Sequence, residues 1–119
     1  MPDQSPADKF RELLRRDLQA AIKARRRDEV SVLRVLIAAI DNAEAEGTSA
    51  GASSGGAGAG VGSTDVARRR LSSADLQQIL LGEITALIEQ SAHHEAAGDH
   101  EKAARLQAQA AFVDRFRIA

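Results

Sequence analysis

The chain has 119 residues, 44% hydrophobic and 28% charged, with a formal net charge of −1, which fits one globular domain. It has no cysteine, which excludes disulfides, thiolate nucleophiles and cysteine-held zinc, and its only aromatic residues are Phe10, Phe112 and Phe116, which leaves few rings for stacking bases or sugars. The N-terminal residues carry no apolar run behind a basic region, and the longest apolar run, 35–40, falls far short of the ~20 residues of a membrane span, so a cytoplasmic protein without membrane contact is expected.

Ser5, Pro6 and Asp8 predict a helix start: a capping hydroxyl, a proline at the first helical position and an acid at the positive dipole end. Phe10, Leu13, Leu14, Leu18, Ala21 and Ile22 follow at spacings of three and four, which predicts a first helix over 6–26. Arg25, Arg26, Arg27 and Asp28 interrupt the apolar pattern. Asp28 is then expected to cap a second helix over 29–46, although nothing in that stretch forbids one bent helix running through it. Val30, Val32, Leu33, Val35, Leu36, Ile37, Ala39 and Ile40 cover more than one stripe, so this helix is expected to be the most buried.

Residues 47–63 hold seven of the nine glycines, with Ala, Ser and Thr between them, and read as a flexible linker inside the single domain 1–119. Ser72 and Asp75 form a capping-box signal for a third helix, with Leu76, Ile79, Leu80, Ile84, Leu87 and Ile88 on one face. Gly82 inside it is expected to mark a close helix–helix approach. Gly98 can take the left-handed conformation that ends a helix, and Asp99 can cap a fourth carrying Ala103, Leu106, Ala110, Val113 and Phe116. The expected fold is all-α: four helices in two antiparallel hairpins, joined by the Gly/Ala/Ser-rich loop.

No catalytic constellation is visible. His93, His94 and His100 lie near Glu89, Glu95 and Asp99, but adjacent histidines on a helix point about 100° apart and no H-E-x-x-H spacing exists. They read as solvated residues near a helix C-terminus, so neither metal nor cofactor is expected. Charge is distributed unevenly. Residues 9–34 carry nine basic side chains against four acidic ones, and 71–119 carry seven acids against four bases. The basic group Arg15, Arg16, Lys23, Arg25, Arg26, Arg27 and Arg34 is the candidate nucleic-acid contact; the alternative is a solvated face attracted to the acidic half. Arg34 sits among apolar neighbours, where Glu83 or Asp75 from the opposite hairpin can hold its guanidinium.

The runs Leu18-Gln19-Ala20-Ala21-Ile22-Lys23-Ala24-Arg25 and Ser31-Val32-Leu33-Arg34, followed by Ala38-Ala39-Ile40-Asp41-Asn42-Ala43-Glu44, resemble the YqeY-like family, or GatB/YqeY-domain proteins. Leu71-Ser72, Asp75-Leu76, Ile79-Leu80, Glu83-Ile84 and Gly98-Asp99 continue the likeness, and the Gly/Ser-rich insertion resembles the actinobacterial type. Lys23, Leu33, Arg34, Asn42 and Glu44 are the residues that match the family motif. Arg26 stands where the family has Asp, and the chain ends at Ala119 where many members continue into a helical tail, so it resembles the N-terminal helical domain alone. The resemblance implies an accessory protein that binds tRNA or a tRNA-dependent amidotransferase. It also carries a label of carbon–nitrogen ligase activity with glutamine as amide donor, for which the residues offer no nucleophile. The remaining alternative is an interaction protein forming helical assemblies, as a homo-oligomer or with another chain.

Overall fold

The computed structural model describes residues 5–60 and 70–117, with side chains described for 5–46 and 70–117. Four helices appear in chain order: α1 Pro6–Ala24, α2 Arg27–Gly60, α3 Ser73–Ala96 and α4 His100–Asp114, with no strand among the described residues. Helix α1 packs against α2 and α3 against α4, with α2 also touching α3 and α4. None of the helices is long and apolar enough to cross a membrane.

The expected caps are present. Ser5 Oγ accepts from the Asp8 N–H at 3.1 Å. Ser72 Oγ accepts from the Asp75 N–H at 3.1 Å, and Asp75 Oδ2 accepts from the Ser72 N–H at 2.9 Å, which completes the capping box. Asp99 Oδ1 accepts from the Lys102 N–H at 3.2 Å and starts α4.

Both sharp corners use the same helix ending. At the end of α3, Gly98 has φ 85°; its N–H reaches the Glu95 carbonyl at 3.0 Å, and the Asp99 N–H reaches His94 at 2.8 Å. At the end of α1, Arg25 takes φ 60°, its N–H donates to the Ile22 carbonyl at 3.1 Å, and the Arg26 N–H donates to Ala21 at 2.9 Å. The left-handed residue at 25 excludes the bent continuous helix, and it closes α1 two residues before the expected end at 26. It also shifts the start of α2. The Arg26 carbonyl accepts the first bond, from Val30 N–H at 3.0 Å. Asp28 is thereby placed inside the first turn of α2 rather than at its cap.

Helix α2 runs on to Gly60, well past the expected end at 46. Of the segment read as a flexible linker, 47–60 is helical and 61–63 lie outside the described residues. Glycine lowers helix propensity by about 1 kcal/mol relative to alanine, but no proline interrupts the run. Extension from an already formed helix also needs no new nucleus.

The main core joins Ala7, Phe10, Leu14 and Ala21 of α1, Val32, Leu33, Leu36 and Ile40 of α2, Leu71 before α3, Leu76 and Leu80 of α3, and Val113 of α4. All three aromatic rings meet at one end of it. Phe116 stands edge-on to Phe10, with centroids 6.2 Å apart, and to Phe112 at 5.3 Å. Farther along α3 and α4, small residues allow close contact, and the buried Ser91 Oγ donates to the Ala103 carbonyl at 2.9 Å. The apolar breadth of α2 is not all covered, for Val35 is 50% exposed.

Gly82 marks no close approach: a Cβ built there meets nothing within 4 Å, and the residue is exposed. Its missing side chain is therefore a pure propensity cost in mid-helix. Gly82→Ala should raise stability by about 1 kcal/mol, seen as a melting temperature a few degrees higher by circular dichroism. A drop would reveal a contact at this position.

Candidate functional site

Arg11 is the best-held cation of the basic half. It continues the core stripe Ala7, Leu14 and Leu18 at spacings of four, three and four, and its side chain is 11% exposed. Its Nη2 lies 2.7 Å from Glu44 Oε1 and 3.0 Å from Asp41 Oδ1, and its Nη1 lies 3.2 Å from Asp8 Oδ1. Glu44, a family-motif residue by sequence, is buried because it extends the stripe Leu33, Leu36 and Ile40 of α2. Sequence reasoning missed Arg11, although its place on the α1 stripe was the available signal. Arg11→Met should cost about 3 kcal/mol, measured by urea unfolding, since it removes the guanidinium that the buried Glu44 carboxylate faces at 2.7 Å. Adding Glu44→Leu should restore much of the loss; a single variant as stable as the native chain would show the cluster to be solvated.

With Arg11 taken up inside the α1–α2 pair, the other basic residues divide. Arg25, Arg27 and Arg34 are exposed and line one open groove together with Ile22, Val30 and Ser31. Among the described residues no carboxylate is ion-paired with these three arginines. Arg26 turns away and lies 3.6 Å from Glu29. Arg15 and Ile22, seven residues apart, share one side of α1, which carries Arg15 about 10 Å along the helix from the groove. Arg16 and Lys23 form the neighbouring exposed strip.

The proposed clasp of Arg34 by Glu83 or Asp75 is absent. Arg34 is exposed, Asp75 serves the cap of α3, and burial alone acts on Glu83, pushing its carboxyl above the usual range. Position 34 lies outside the core stripe of α2, so its side chain faces the groove rather than the acidic hairpin. The other motif residues separate by role: Leu33 is fully buried core, Glu44 holds Arg11, and Lys23 and Asn42 are exposed.

Attraction between the basic and acidic halves takes an inverted form. Asp28 of the basic half meets Arg105 of α4 at 3.0 Å and 3.3 Å through two guanidinium nitrogens. The Arg105 hydrogen bond is the main reason that the Asp28 carboxyl sits below its ordinary value of 3.8. A depressed carboxyl stabilises the fold above its unfolded value and loses that contribution as pH falls through the folded value. Arg105→Gln should therefore lower the urea midpoint slightly at pH 7, and the difference should vanish near pH 2. A difference that persists in acid would assign it to packing rather than charge.

The histidines keep local acidic company: His100 Nδ1 lies 2.6 Å from Glu95 Oε2, and His94 Nδ1 lies 3.8 Å from Asp99 Oδ2. Among the described residues no group of three or more His, Cys, Asp or Glu side chains converges as a metal site would require.

Comparison with family models, with curated proteins and with solved structures finds no match to this chain.

Proposed function

We propose that this chain is a binding protein rather than a catalyst on its own, a YqeY-like accessory module that holds RNA phosphates in the groove of Arg25, Arg27 and Arg34. The observation that carries this reading is the set of three exposed guanidiniums around one groove, none of them ion-paired with a carboxylate among the described residues. Guanidinium forks suit phosphate oxygens, and unneutralised cations gain most from displacing counterions. Arg15, Arg16 and Lys23 extend the positive surface along α1, and Arg26 contributes less because Glu29 competes for it.

The resemblance names the RNA as tRNA and the wider setting as a cytoplasmic, tRNA-dependent amidotransferase, with the amide-transfer chemistry supplied elsewhere. In this reading the four helices form two antiparallel hairpins, and the basic groove occupies the corner of the first. A second reading, assembly with itself or with another helical protein, draws support from Leu81 and Ile88, both exposed on one side of α3.

Gel shift with bulk tRNA tests the first reading. Binding should appear at about 50 mM salt and weaken roughly twenty- to fortyfold by about 200 mM, as expected for three phosphate contacts. Arg27→Glu with Arg34→Glu should abolish it without moving the melting temperature, since both side chains are exposed. No shift at low salt, together with a concentration-dependent dimer by light scattering, would favour assembly instead.

A further inference from the structure

A groove of about 400 Å³ opens between α1 and α3, at the end of the core where the three aromatic rings meet. The buried Phe10, Leu76 and Leu80 form its floor, and Leu13, 41% exposed, stands on its rim with Phe116. Two turns of α3, from Ser73 to Leu80, run along it, a length of about 10 Å. Two polar groups on its walls lack partners. The Gln77 amide nitrogen is buried and makes no hydrogen bond. The exposed Lys9 ammonium is ion-paired with no described residue. A buried donor left unpaired is costly, so an acceptor brought to Gln77 removes a penalty already present in the free protein. The terminal torsion of glutamine is soft, which lets the amide turn an N–H toward the groove.

These demands select the ligand. The walls ask for an apolar body, while one ammonium and one amide ask for a single anionic group with two acceptor oxygens. A carboxylate on an extended alkyl chain meets both. We propose that the α1–α3 groove binds a free medium-chain fatty acid, with its chain over Phe10, Leu13, Leu76 and Leu80 and its carboxylate between Lys9 and Gln77. Two helical turns of groove suit an extended chain of the length of octanoate. A second copy of this chain is a poorer occupant, because a twofold contact through the groove brings like charges together at Lys9. The site is separate from the arginine groove and does not depend on RNA binding there.

Proton–nitrogen correlation NMR of the full chain, titrated with octanoate, hexanoate and octanol, tests the site. Octanoate should move the Gln77 side-chain amide signal and bind roughly fifteenfold more tightly than hexanoate, as two further buried methylenes provide. Octanol should bind more weakly than octanoate. Lys9→Gln, at an exposed position, should weaken octanoate about threefold and leave octanol unchanged. Gln77→Leu should weaken octanoate about tenfold without lowering the melting temperature, because it removes an unpaired donor rather than a bond. Leu13→Asp, on the exposed rim, should abolish binding of all three ligands and serves if the Gln77 variant fails to fold. Arg27→Glu with Arg34→Glu should leave octanoate binding unchanged, which separates this site from the arginine groove. A Gln77 amide signal that does not move in millimolar octanoate overturns the proposal, as does equal affinity for octanoate and octanol. A concentration-dependent dimer that Leu13→Asp dissociates assigns the groove to a second copy and overturns it. Tighter binding of acetyl-trileucine than of octanoate assigns it to a peptide C-terminus and overturns it as well.

Discussion

The cluster of Arg11 with Glu44, Asp41 and Asp8 decides how the first two helices meet. A guanidinium on the apolar stripe of one helix and a carboxylate on the apolar stripe of the next are each costly to bury alone, and here they face each other at 2.7 Å. This sets the register of α1 on α2 more narrowly than leucine contacts can, since interchangeable apolar side chains tolerate sliding and a buried ion pair does not. Once that register holds, Ala7, Phe10 and Leu14 face the core of α2, and the remaining cations of the basic half are turned outward.

The corner at Arg25 does the complementary work. A left-handed residue that is not glycine carries a backbone cost of roughly 1 kcal/mol, yet this turn places Arg25 and Arg27 beside Arg34, about two helical turns into α2. Strain at a basic residue beside an open groove fits a corner whose side chain matters more than its backbone preference. The equivalent corner at Gly98 uses the residue that meets no such strain.

Asp28 links this corner to the second pair of helices. By engaging Arg105 it keeps one acid of the basic half away from the arginine groove and fastens α2 to α4. The charge asymmetry of the chain is therefore not consumed internally. The exposed arginines remain positive toward solvent.

The element types, the Ser5, Ser72 and Asp99 caps, the Gly98 ending and most of the core could be read from the chain, because capping chemistry and helical periodicity are local. The basic group was equally visible as composition. What tertiary structure decided was which charges act together. Arg11 and Glu44 left the surface because each continues an apolar stripe, and a stripe interrupted by charge shows its meaning only when the opposing helix is in place. Arg34 went to the groove rather than to Glu83 because its position on α2 lies off the core stripe, and the corner at Arg25 brought Arg25 and Arg27 beside it. Gly82 and the length of α2 were misread for a related reason: a glycine in a helix looks the same in sequence whether it meets a neighbour, meets solvent or ends the helix, and only the surrounding chain distinguishes them.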